Sequence, residues 1–140
     1  MKVNGVLHKF AKRPKILFLL DGFGAFVSAL FLAFVLPTIQ EKVGVAHGHL
    51  IYLACFAGFL MLIDLYRWMA ANDKWEKRIR FVIMFNLIYC AVSLVVIGLS
   101  FETITTLGLL YFAAEIFIIL ALVRFERSVY LRVKNPNLMK

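Results

Sequence analysis

The chain has little of what catalysis or a disulfide scaffold would need. Only two cysteines, Cys55 and Cys90, occur in 140 residues, so there is no disulfide framework. They fall at depths that differ by roughly 9 Å, at about 1.5 Å of rise per residue. That mismatch excludes the usual Cα spacing of a disulfide, and both read as packed thiols. The three histidines, His8, His47 and His49, lie outside the apolar runs, which excludes a haem held between paired intramembrane ligands. Ser28 and Ser93 therefore have no neighbouring histidine base to make a nucleophile. There is no phosphate-cradling glycine loop, zinc-protease motif or nucleophile elbow, and Gly22-Phe23-Gly24 is too short for a nucleotide fingerprint. His47-Gly48-His49, even with Glu41, falls short of a supported zinc site and reads as a polar turn. No metal, cofactor or enzymatic activity is expected.

Charge is also scarce, at 17% of residues, against 63% hydrophobic. A soluble domain of this length needs more polar surface to cover its core. The apolar residues fall in four continuous runs, 16–36, 50–68, 81–99 and 107–124. Each is about 18–21 residues, enough to cross a hydrocarbon core of roughly 30 Å. Continuous rather than alternating runs mean helices, because backbone groups in lipid must be satisfied within the segment. The first run is too long for a signal-peptide core of roughly 7–15 residues and lacks a small-x-small site, so it reads as a retained helix. The reading is a single transmembrane domain over residues 1–140.

The formal charge of +8 is unevenly placed. Lys2, Lys9, Lys12, Arg13 and Lys15 precede the first run, and Lys42 alone follows it. Arg67, Lys74, Lys77, Arg78 and Arg80 lie between the second and third. The third loop, 101–106, has no Lys or Arg. Arg124, Arg127, Arg132, Lys134 and Lys140 end the chain. The positive-inside rule then predicts both termini and the middle loop in the cytoplasm. The basic groups suit the anionic headgroups of a lipid bilayer rather than nucleic acid, since no basic, aromatic-interleaved unit stands apart.

Val3, Val6, Leu7 and Phe10 recur at helical spacing and predict a short helix on the cytoplasmic interface. Pro14 separates it from the first run, and Pro37 is expected to close that run. The stretch 69–80 is the most polar and is expected to prolong a helix, with Trp68 and Trp75 in an interfacial belt. The short third loop predicts an antiparallel hairpin of the last two helices. Asn135-Pro136-Asn137 reads as a frayed tail.

Polar residues inside the runs carry the functional signal. In the first run Asp21, Gly22, Ala25, Ser28, Ala29 and Ala33 share one arc, and Leu19, Phe23, Val27, Leu30, Phe31 and Phe34 the other. The small arc is expected to face the bundle and the Phe-rich arc the lipid. Asn86, Tyr89, Cys90, Ser93 and Ser100 form a stripe on the third run, and Gly108, Tyr111 and Glu115 one on the fourth. A charged side chain at the bilayer centre costs about 2.5–3.5 kcal/mol even on insertion scales, so such residues face a bundle interior or wet cavity. Asp21, Asp64 and Asn86 are placed near the cytoplasmic leaflet and Glu115 near the midplane. One reading joins Asp21, Asp64, Asn86, Tyr89, Tyr111 and Glu115 in a polar site for a proton, cation or headgroup. The other pairs Asp21 and Asp64 with Lys15, Arg67 or Arg80, and hydrogen-bonds a neutral Glu115 to Tyr89 or Tyr111.

At KILFLLDGFGAFVSA (Lys15–Ala29), NLIYC (Asn86–Cys90) and LGLLYFAAE (Leu107–Glu115) the chain resembles small four-span bacterial membrane proteins with no assigned function. The resemblance implies a bacterial inner-membrane location and transfers no catalytic residue. The fold expected is all-α: an antiparallel four-helix transmembrane bundle with both termini cytoplasmic. Two functions compete. One is a non-enzymatic accessory subunit, scaffold or homo-oligomer, partnered by itself or another membrane protein. The other is a small proton- or cation-coupled transporter or channel. A channel requires the polar residues to converge on one cavity, whereas association requires a small or polar face left exposed.

Overall fold

The computed structural model describes residues 2–70 and 74–135, which are helical apart from short connections. A leader helix, α1 (Lys2–Lys12), precedes the long helix α2 (Lys15–Thr38). One turn of helix, α3 (Gln40–Val43), leads to α4 (His47–Met69), α5 (Trp75–Leu99) and α6 (Thr106–Lys134). Helices α2, α4, α5 and α6 are long and apolar enough to cross a membrane, the make-up of a multi-pass membrane protein.

The helices outrun the apolar segments. Helix α5 begins at Trp75 rather than Phe81, and α6 continues to Lys134 rather than ending at Arg124. Hydropathy marks only the apolar stretch, while Glu, Lys and Arg are good helix formers that extend it. Helix α4 likewise begins at His47, so His47-Gly48-His49 is a first helical turn and not a loop. Pro37 does not stop α2 at once. Residues Phe31–Val35 form a π turn, in which the Leu36 N–H reaches the Phe31 carbonyl five residues back. A widened turn relieves the clash and missing donor that Pro37 imposes. Of the expected frayed tail, Asn135 follows the end of α6, and Pro136 and Asn137 lie outside the described residues.

The leader helix packs instead of lying free on an interface. Leu7 is buried, and the Phe10 ring meets Phe125 edge-on at 5.1 Å. Leu7, Leu17, Phe18, Ile79, Val82 and Val129 form a buried cluster at this basic end. Trp75 joins it, stacking on Phe18 at 6.1 Å, so this tryptophan turns inward rather than onto an interface. Arginines tie the end of α4 to the start of α5. Arg78 donates to the Ala70 carbonyl (2.9 Å) and the Arg67 carbonyl (3.2 Å), and Arg67 donates to the Arg78 carbonyl (2.9 Å). The two bonds from Arg78 satisfy carbonyls that the end of α4 leaves open.

A larger core runs toward the opposite end through Leu32, Leu36, Val43, Val45, Leu50, Leu53, Tyr89 and Phe112. There the connections interlock. The Thr105 N–H donates to the Val43 carbonyl (3.0 Å), and the Thr103 hydroxyl to the Gly44 carbonyl (2.7 Å). The Thr105 hydroxyl donates to the Lys42 carbonyl and accepts from Gly108 N–H (3.2 Å), capping α6. Gly44 takes a left-handed φ of 73°, which favours glycine. Cys90 is buried, but Cys55 is exposed, so only one of the two thiols is packed.

Candidate functional site

Helix phase and small residues assemble the site. All six residues of the Phe-rich arc of α2 are exposed, and the small arc is buried or half-buried. Helices α2 and α4 make the most extensive helix pair. Gly22 allows it, because a Cβ there would sit 3.3 Å from the Asp64 Cβ. Small residues permit this approach in lipid, where dispersion replaces the aqueous hydrophobic effect. The approach sets Asp64 against Asp21, two carboxylates from different helices.

Asn86 of α5 donates its amide to Asp21 Oδ1 at 3.0 Å. Asp21, Asp64 and Asn86 line one small void of about 10 Å³. Beside it lies a cavity of about 90 Å³ that Asp21 and Asn86 share with Ser28, Tyr89 and Glu115. Tyr89 donates its hydroxyl to Glu115 Oε1 at 3.0 Å; Ser28 lies close to the same carboxylate, and Glu115 Oε2 holds no hydrogen bond of ordinary geometry. Asp21, Asp64, Asn86, Tyr89 and Glu115 are all buried, so five of the six sequence-selected residues meet across four helices. Tyr111 stands apart: its ring stacks on Phe31 at 6.4 Å and it does not line the cavity.

The alternative pairing with basic groups takes a different form. Lys15 and Arg80 are exposed, and Asp21 finds Asn86 instead. The field of Arg67 reaches Asp64, but its guanidinium lies over the Phe81 ring at 4.1 Å. No lysine or arginine lines the cavity.

Glu126 escaped the sequence reading. It is fully buried, faces Asp21, Asp64 and Asn86, and neither oxygen holds a hydrogen bond of ordinary geometry. Its flanking Arg124 and Arg127 made it read as tail. The signal was a heptad: Gly108, Phe112, Glu115, Ile119, Leu122, Glu126, Val129 and Val133 alternate in steps of four and three, and all are buried or half-buried.

His47 is exposed in the first turn of α4, His49 is half-buried, and among the described residues no cluster of three or more His, Cys, Asp or Glu is arranged to hold a metal. None of the protein-family models, curated proteins or solved structures compared with the chain matches it. Asp21 and Glu115 line the cavity, Asp64 lines the void beside it and Glu126 faces both aspartates, so four buried carboxyl groups gather where no lysine or arginine lines the cavity. Such a chamber can take up a proton or a small cation.

Proposed function

We propose that this protein is a small proton- or cation-coupled membrane transporter, non-enzymatic, working through the carboxylate chamber. The observation that carries the reading is the Glu115 carboxylate, buried, with Oε2 free of any hydrogen bond of ordinary geometry, in a cavity shared with Asp21, Ser28, Asn86 and Tyr89. A carboxylate oxygen left unsatisfied in a membrane interior is costly unless an occupant completes it. The two apolar clusters lie toward opposite ends of the bundle from the chamber, closing it along the helix axes, which suits alternating access.

We read the four long helices as an antiparallel bundle in a bacterial inner membrane, with both termini and the middle loop, 69–80, in the cytoplasm. The distribution of lysine and arginine supports that orientation. The bilayer is the first partner: Lys77 and Arg80 stand on an outward groove with Phe81, Met84 and Leu87, suited to an anionic headgroup over acyl chains.

The test is flux in reconstituted vesicles under a proton or cation gradient. Glu115→Gln keeps the Tyr89 acceptor and removes the charge, and is expected to abolish coupled flux. Unchanged flux removes Glu115 from the role. A second reading, an accessory or scaffold bundle that self-associates, is favoured by the exposure of Ala113, Ala114 and Ala121 on α6. Cross-linking of cysteines introduced at Ala114 and Ala121, in membranes, tests it.

A further inference from the structure

The cavity has one wall that is not protein core. Its residues from α4 and α5, Ala57, Leu60, Asn86 and Tyr89, are buried. Its exposed residues come only from α2 and α6, at Gly24 and Ile118. These two helices touch at few positions, while α2 is packed tightly on α4 and α6 on α5. At Gly24 an added Cβ would meet nothing within 4 Å. The chamber therefore opens sideways, between α2 and α6, at the exposed Gly24 and Ile118, onto a face that meets hydrocarbon.

We infer that the carboxylate chamber binds an amphiphilic primary amine that enters from the bilayer between α2 and α6. The inference rests on reading the chamber as a cation site and names its ligand class. Three observations select that class. Carboxylates without lysine or arginine in the lining select a cation, and the open Glu115 Oε2 gives its ammonium an acceptor. A volume of about 90 Å³ admits an ammonium head with a carbon or two, and not a quaternary or aromatic cation in full. The lateral opening, floored by glycine and rimmed by isoleucine, leaves the alkyl tail among acyl chains. An inorganic cation would have to shed its hydration shell on the way through lipid, whereas an amphiphile already partitions there.

The experiment uses the full chain in phosphatidylcholine vesicles. A lipophilic carbodiimide, dicyclohexylcarbodiimide, is the reporter. It adds across a carboxylic acid to form an N-acylurea with no leaving group, and peptide mass spectrometry locates it. Labelling of Glu115 or Asp21 is expected to exceed labelling by a water-soluble carbodiimide. With the N-acylurea and any amide formed by attack of the amine on the activated acid (the urea leaving) both counted as modification, decylamine is expected to slow it about tenfold, and methylamine and decanol at equal concentration to leave it unchanged. Gly24→Trp fills the window and is expected to slow labelling likewise, with the thermal unfolding midpoint retained. Vesicles in which phosphatidylethanolamine replaces phosphatidylcholine distinguish the sources: slowing without decylamine assigns the ammonium to a lipid headgroup. Absence of lipophilic labelling, faster labelling by the water-soluble reagent, or equal protection by methylamine or decanol overturns the inference. Loss of flux in Glu115→Gln without decylamine protection removes the ligand class alone. Decylamine protection without flux removes transport and keeps the binding site.

Discussion

Tyr89 and Glu115 are joined across α5 and α6 by a 3.0 Å hydrogen bond that occupies one carboxylate oxygen and leaves the other open. Tyr89→Phe removes the donor and leaves the whole carboxylate without this partner. The expected loss is about 1–3 kcal/mol of stability, the cost of stranding a buried polar group. Thermal or denaturant unfolding in mild detergent reads it. In the Glu115→Gln background the same substitution is expected to cost less, because a neutral amide is cheaper to strand than a carboxylate. Equal costs in both backgrounds would mean the bond contributes nothing specific.

Asn86 and Asp21 line both the cavity and the smaller void beside it. Asn86→Leu keeps the branched shape in a larger side chain and removes the amide that Asp21 accepts from. A destabilisation of about 1–3 kcal/mol is expected. Asn86→Asp adds a further carboxylate beside Asp21 and is expected to lower the yield of folded protein more severely than Asn86→Leu. Membrane expression followed by gel filtration ranks the two.

The interlocked connections predict a sharp contrast among glycines. A Cβ at Gly44 would collide with the Thr103 carbonyl, and one at Gly108 with the Val43 carbonyl. Gly44 also holds its left-handed φ. Gly44→Ala and Gly108→Ala are each expected to cost about 1–3 kcal/mol. Gly58→Ala and Gly98→Ala meet open space within helices. They are expected to be neutral or to stabilise by up to about 1 kcal/mol through helix propensity. Unfolding midpoints of the four variants are the measurement.

Arg78 ties the start of α5 to the end of α4 through carbonyls of Ala70 and Arg67. Arg78→Ala is expected to speed proteolytic cleavage near residues 70–74. Arg78→Lys is expected to restore little, since a single ammonium on a flexible stem lacks the forked guanidinium geometry. Limited proteolysis of vesicles, followed by mass spectrometry, separates the outcomes.

Much of this molecule was legible because charge inside an apolar run is conspicuous. Asp21, Asp64, Asn86 and Glu115 stood out by contrast with their neighbours, and helical phase placed the Phe-rich arc of α2 outward. Three things were hidden for physical reasons. Glu126 sits beyond the apolar run, where arginines mask a heptad that continues unbroken. The contact of Asp21 with Asp64 depends on how closely two helices approach, which Gly22 permits but periodicity does not specify. The choice of Tyr89 over Tyr111 as the partner of Glu115 depends on the rotation of α5 against α6, and both tyrosines fit the helical spacing. The leader helix showed the same limit. Its amphipathic pattern forecast a helix, but the partner of its apolar face turned out to be α6 rather than lipid.

The bonds between residues 42–44 and 103–105 also order assembly in time. Val43 leaves the ribosome about sixty residues ahead of Thr105, at a typical pace of about 5–20 residues per second. The α2–α4 pair can therefore insert and settle for seconds while its connecting loop still lacks its partner. Only when the fourth long helix has been delivered can Thr105 cap itself and clasp the earlier loop in one event. The two helix pairs are then latched as a single body, with the carboxylates already enclosed between them.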